Sequence, residues 1–414
     1  MKGYSYDDLK DIIRGSHFYA SGGGGAYING ELLLKDTKRV MDEKGLMALP
    51  YLDVDDPEVG RAGFYAPFVG AVGSPQKYCD DGFIHSPQWV FDLHQQVMQH
   101  VLQLRSTTFD CVQVNPALEF QSVIAIETGT LTYGMAMLLA AQKNIPIMNM
   151  DGCGRAVPVL PMVGPAQNVP GAPRLSPVAL VSETTIADGG AQLVINTDDL
   201  GNLNDMMHGI ISDDQGFDQR SAMSCFAISG QDIQASQQGY YVSGSLERAR
   251  LLGAAIRLAG KESLAKQIEA VSGGIKVTTA TVVHAKNYTE QGFDLIDVIM
   301  HEDGGRGRIY RAIAENETLL LETKESGCDY QPAVMGPDSI CYVTTDGQTL
   351  SNTEIKEGMH VHVFAVPAAQ GMNTPALQKL FINEINTVRK QLGIKPAITT
   401  YVSPFVNHCQ NGGQ

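Results

Sequence analysis

Three short stretches carry residue types that could do chemistry. The first is Ser21-Gly22-Gly23-Gly24-Gly25-Ala26, four consecutive glycines ahead of an apolar-periodic run. A glycine loop feeding a helix presents backbone N–H groups at the positive end of the helix dipole, where an anion or a developing oxyanion is stabilised. Gly22, Gly23, Gly24 and Gly25 are therefore candidate substrate-binding residues; the plainer reading is a flexible turn. The second stretch is Asn149-Met150-Asp151-Gly152-Cys153-Gly154-Arg155-Ala156-Val157-Pro158, which follows a strand-like run. Ligands of open parallel sheets lie outside the carboxyl ends of the strands. Asp151 offers a general base or a metal ligand, and Arg155 a planar donor fork for a carboxylate or an imide carbonyl. Gly152 and Gly154 permit tight turns beside a ligand. The plainer alternative is an acid–guanidinium pair that braces the loop.

The third candidate is Glu127, with Gly129 and Thr130, a candidate substrate-binding residue, behind it at the end of a neighbouring strand. Adjacent strands would set Glu127 beside Asp151. Two carboxyls that close divide into one acid and one base. The alternative is a glutamate that complements the dipole of the following helix. Cys153 is a conceivable nucleophile, but no histidine neighbours it in sequence, so a small buried filler is the favoured reading. His360-Val361-His362 puts two imidazoles on one face of a strand, as a metal pair would need, yet its surroundings read as a structural hairpin. Asp213, Asp214 and Asp218 read as a solvated loop in preference to a cation site. The glycine run lacks the Gly-Lys-Ser/Thr of a phosphate loop, so no nucleotide is expected. The carboxylates leave a divalent metal open as an alternative to a general base.

The elements that must position these residues follow from periodicity and caps. Ser5 with Asp8 starts a helix for which Gly15 is a plausible stop, and residues 27–41 form the helix behind the glycine run. Strands are expected at 46–54, 63–72, 109–114, 122–127 and 145–150, with helices from Ser86 to about 104 and over 130–141. The last two strands and the helix between them make a right-handed βαβ unit. Six prolines between 157 and 177 impose a long loop. Strands at 178–182 and 192–196 and helices at 200–211, 246–258 and 262–271 follow. From 277 to 367 short β-branched strands alternate with turns. A last helix starts at the Thr374 cap and runs to about 391, packing back on the α/β part. The fold class is thus α/β, with a mixed or parallel sheet, plus a C-terminal β-rich domain. Its segments are 1–180, 181–273 as a continuation, 274–368 as the β-rich domain, and 369–414 as the returning helix.

Composition sets the outer bounds. A chain of 414 residues suggests two or three domains and can bury a large core without staples. With 45 Asp+Glu against 30 Lys+Arg, a net charge of -15 repels nucleic acid and gives an anionic membrane surface nothing to hold. Seven cysteines with no CxxC spacing read as reduced thiols in the cytoplasm. The polar N-terminus shows no signal peptide, and no apolar stretch approaches a membrane span. A closed homo-oligomer is the expectation for an enzyme of this size.

In order and spacing, the glycine run, Glu127-Thr128-Gly129 and the 151–158 stretch resemble the DUF917 family. So do Ala314-Glu315-Asn316-Glu317-Thr318-Leu319 and Gly336-Pro337-Asp338-Ser339-Ile340, with Glu354, Gly358, Val361, Val363 and Pro367 behind them. The resemblance spans nearly the whole chain. It implies an N-terminal α/β domain, a C-terminal β-rich domain, and an enzyme acting on hydantoin-like rings. The family's named activity removes methanethiol from S-methyl thiohydantoin. Family members also accompany hydantoinase/oxoprolinase-type proteins, which makes such a partner, or a non-catalytic binding role beside one, the alternative. Asn149 stands where the family usually carries an acid, and Thr130 and Thr132 where it tends to a glycine and an asparagine. The expected chemistry is hydrolytic attack on a cyclic amidine or imide carbon. Asp151 or Glu127 would activate water, Arg155 would hold the ring, and the Gly23–Gly25 N–H groups would stabilise the negative charge.

Overall fold

A computed structural model describes residues 2–73, 78, 84–108, 118–166, 177–197, 199–211, 216–217, 219–235, 240–290, 293–305 and 307–406. The expected strand at 109–114, the acidic residues Asp213, Asp214 and Asp218, and the 167–176 part of the proline-rich loop lie outside these residues. So do Cys79, Cys111 and Cys409.

The first domain is built on one mixed sheet. Its strands are β1 (Lys2–Tyr4), β2 (Leu49–Leu52), β3 (Tyr65–Gly73), β4 (Val123–Ala125), β5 (Ile147–Asp151), β6 (Val178–Val181), β7 (Gln192–Ile195), β8 (Arg220–Ser229) and β9 (Val242–Ser243). The order is β1-β2-β5-β4-β3-β8-β6-β7, with β9 added beside β5. The inner run β2-β5-β4-β3 is parallel, and β8 joins it antiparallel to both β3 and β6. Segments 1–180 and 181–273 therefore share a single sheet. Strand β8 has no counterpart among the sequence-based expectations. Eight of its ten residues, Arg220 to Phe226 and Ile228, are buried, so it lacks the polar–apolar alternation that marks a half-exposed strand.

Helices α1 (Tyr6–Tyr19), α2 (Tyr27–Glu43), α3 (Ser86–Thr108), α4 (Thr130–Lys143), α5 (Leu200–Ile211), α6 (Gly230–Ala235), α7 (Ser245–Leu258) and α8 (Leu264–Ser272) complete this part. Ser5 and Asp8 form the expected capping box, but α1 does not stop at Gly15. It runs on because Gly15 is a packing residue: a Cβ there would lie 1.8 Å from the Ala249 carbonyl oxygen of α7. Helix α4 is buried from Thr130 to Ala141, the pattern of a helix enclosed on every side.

The second domain is an antiparallel sheet of β10 (Ile275–Glu290), β11 (Phe293–Glu302), β12 (Ile309–Glu315), β13 (Glu317–Lys324), β14 (Gln331–Met335), β15 (Ser339–Thr344), β16 (Thr349–Leu350) and β17 (His360–Val366). Its order is β14-β13-β12-β11-β10-β17-β15-β16. Helix α9 (Pro375–Gln391) begins at Thr374, whose hydroxyl accepts the Leu377 N–H at 3.2 Å. It lies on β12 and β13 and returns to the first domain at the 3-10 turn Leu160–Met162. Leu377, Phe381, Ile385 and Val388 share one core with Leu160, Met162, Leu319 and Leu320. The helix thus sits on the seam between the domains. Among the described residues no helix is long and apolar enough to cross a membrane.

Candidate active site at the domain seam

The glycine run forms the α1–α2 connection, and it is stitched to the second domain. Ser21 O accepts the Thr318 N–H at 2.7 Å, and its hydroxyl accepts the Ile340 N–H at 2.9 Å. Gly22 O accepts the Asn352 N–H at 2.7 Å. Gly22, Gly24 and Gly25 have φ of 83°, 65° and 92°, a region that costs glycine little and other residues more. Gly23 is needed for a different reason: a Cβ there would fall 2.0 Å from Glu317 Oε1. Backbone and carboxyl thus meet directly, and the Gly24 N–H donates to the same oxygen at 3.4 Å.

This contact opens into a cavity of about 150 Å³, lined by Gly22 to Gly25, Glu127, Thr132, Asn316 and Glu317 on its polar side. Glu127 follows β4 at the carboxyl end of the parallel strands, and its Oε2 accepts the Val157 N–H at 3.0 Å. Burial pushes its proton affinity up to about 7. The Asp151 charge adds to this, while the Val157 N–H, Thr132 and Arg155 pull the other way. Glu317 opens β13, one residue after Asn316 makes the turn from β12 with φ of 53°. It is 4% exposed, and its Oε2 is buried with no hydrogen-bond partner. Burial, then the neighbouring Glu127, raises its proton affinity well above the carboxylate range; Arg155 and the Gly24 N–H oppose this. A carboxyl so placed favours its protonated form. Two carboxyls, one from each domain, therefore face one cavity with proton affinities set apart.

The residues first expected to do the chemistry are placed differently. Asp151 is fully buried and does not line the cavity among the described residues. Its Oδ1 accepts the Cys153 and Gly154 N–H groups at 3.0 and 2.6 Å, and its Oδ2 the hydroxyls of Thr128 and Tyr133 at 2.6 and 2.5 Å. With both oxygens filled twice, it braces the loop after β5. Arg155, 3% exposed, is not a ligand clamp but a pin across the domains. Its guanidinium donates to Ala156 O at 2.9 Å, Asp338 O at 2.7 Å and Thr318 O at 3.0 Å, and lies 5.0 Å from the Phe381 ring centre. It acts on both glutamates as a charge behind the cavity wall.

Thr130 likewise sits behind the site, its hydroxyl donating to the carbonyls of Gly24, Gly25 and Ala26. Gly152 and Gly154 are outside the lining as well: a Cβ on Gly152 would lie 2.3 Å from Ile126 O, and Gly154 has φ of 72°. Two donors of the glycine run are also committed, Gly23 N–H to Ala20 O and Gly24 N–H to Glu317. Asn149 bonds Asp53 at 2.7 Å and accepts the Glu247 N–H of α7 at 3.0 Å, a structural role. The Cys153 thiol donates to Arg155 O at 2.9 Å, and burial raises its proton affinity well above the ordinary thiol. His360 pairs with Asp303 at 3.1 Å on the β17 surface, and His362 with Thr279 at 2.9 Å. Among the described residues, no cluster of three His, Cys, Asp or Glu could hold a metal ion.

Glu317 is the residue that the sequence-based reading of the chemistry left out, although its segment is part of the family resemblance. Its signal is an acid heading an uncharged, leucine-rich run, Thr318-Leu319-Leu320-Leu321.

Fold and site together define a class: a two-domain protein, α/β followed by antiparallel β, with a cavity on the seam that holds one carboxyl from each side. The chain belongs to the S-Me-THD-like family. Residues 7–188 match its N-terminal domain and residues 202–381 its C-terminal domain. A solved structure of a protein from Chromobacterium violaceum is similar in fold, with a TM-score of 0.72 and 22% identity over 98% of this chain and 100% of that one. Comparison with curated proteins gives no match.

Proposed function

We propose that the cavity is the active site of a hydrolase acting on a hydantoin-like ring, in the manner of S-methyl thiohydantoin desulfuration. The observation that carries this reading is the pair Glu127 and Glu317. Burial raises Glu127 to about 7, where it can take a proton as a general base should, and raises Glu317 well above the carboxylate range, favouring the protonated form that a general acid needs. A cavity of this size matches one that accepts a benzene-sized ring.

The atoms balance without a further reagent. Glu127 takes a proton as water attacks the ring carbon bearing the S-methyl group. The C–O bond forms, the electron pair of the C=N bond moves to the ring nitrogen, and Glu317 protonates that nitrogen. The tetrahedral centre then collapses. Its hydroxyl proton returns to Glu317, the C–S bond breaks, and Glu127 delivers its proton to sulfur. Hydantoin and methanethiol leave. The Val157 N–H, with lesser help from Thr132 and from Arg155 behind the wall, keeps Glu127 from rising further.

The test is methanethiol release from S-methyl thiohydantoin by the purified chain. General acid–base catalysis contributes on the order of 10²–10⁴ in rate, so Glu127→Gln and Glu317→Gln should each lose at least about 10² in kcat/KM. Wild-type turnover in either variant would remove that residue from the mechanism.

A further inference from the structure

The rest of the cavity lining bears on which rings are accepted. Beyond the glutamates and the glycine run, the wall is made by Leu160 and Val163 from the loop after β5, Met207 and Ile211 from α5, and Met223 from β8. All five belong to the same buried core, so this wall is packed and dry. The Asn204 side chain, from the same helix, accepts the Leu160 N–H at 3.2 Å and ties the loop to α5. Among the described lining residues there is no Lys, Arg or His, and the titratable groups are the two carboxyls.

We infer that the substrate ring carries a neutral, apolar substituent, which lies along the Leu160–Met207–Met223 wall, and that rings bearing an anionic substituent are rejected. This rests on the reading of the cavity as a ring-binding active site. The physical basis is twofold. An apolar substituent loses its water against side chains that are already dry, and methionine thioethers adapt to its shape. A carboxylate in the same place would lose its hydration with no cation to replace it, while facing Glu127.

Titration calorimetry of the whole chain with unsubstituted, 5-methyl, 5-isobutyl and 5-(2-carboxyethyl) hydantoin tests this directly, because these product-type rings carry no leaving group. Affinity should rise about fourfold per buried methylene, and the carboxyethyl ring should bind at least about tenfold more weakly than the isobutyl ring. Met207→Ala should lower the isobutyl-over-unsubstituted ratio by about fourfold or more. A flat series, a carboxyethyl ring that binds as tightly as the isobutyl one, or no binding by any ring would overturn the inference. Thiol release from the S-methyl thio-analogues of the same series separates the two readings. Graded binding without release sinks the hydrolase and keeps the apolar preference; release without grading does the reverse.

Discussion

Replacing Glu127 by Gln should make the protein more stable, and by an amount that grows with pH. In the folded chain burial raises the Glu127 carboxyl from 4.5 to about 7. The folded state therefore holds a proton that the unfolded state gives up across that interval. For a group of this kind, stability is full below pH 4.5 and is lost as pH rises towards 7. At about 1.36 kcal/mol per pH unit, the ionisable side chain costs the wild type up to about 1 kcal/mol at pH 5 and about 3 kcal/mol at pH 8. Glutamine is almost the same shape, and its carbonyl oxygen can keep the Val157 N–H bond. The variant should gain about 2–2.5 kcal/mol over the wild type between those two pH values. Urea denaturation at pH 5 and pH 8 measures this, followed by fluorescence of Trp89, the chain's one tryptophan. Equal differences at both pH values would mean that the carboxyl is not held up by its surroundings, and the assignment of Glu127 as a base poised near neutrality would fall with it.

Three further outcomes follow from the same geometry. The kcat/KM of methanethiol release should rise with pH through about 7 as Glu127 ionises; a profile flat from pH 5 to 8 would contradict its role. Gly23→Ala puts a Cβ 2.0 Å from Glu317 Oε1, so the carboxyl must swing away. Turnover should drop about 10²-fold for a stability loss of about 1–3 kcal/mol, and a variant as active as the wild type would show that the contact is irrelevant. Asp151→Asn should cost about 2–4 kcal/mol in thermal or urea unfolding, because an amide cannot accept from all four donors, while turnover per folded molecule stays within about tenfold. Unchanged stability with turnover down a hundredfold would return Asp151 to the catalytic centre.

Much of the architecture was legible in the sequence because it is written in local signals. The Ser5–Asp8 and Thr374 caps, the β-branched alternation after 277 and the βαβ unit around α4 each depend on neighbours a few residues apart. Where burial removed those signals the reading failed, as it did for β8, enclosed on both faces, and for Gly15, whose role is set by a helix some 230 residues away. The site divides in the same way. That the glycine run and Glu127 belong to a loop-and-strand-end arrangement could be read from residue order. Whether Asp151 or Glu317 is the second carboxyl could not. Both are acids beside glycine-rich or turn residues, and only their surroundings distinguish them: four donors close Asp151 into a brace, whereas one oxygen of Glu317 is left bare at the cavity. Proton affinity and access depend on what is packed around a carboxyl: the donors that close Asp151 come from its own βαβ unit and loop, whereas Glu317 meets the glycine run and Glu127 from the other end of the chain.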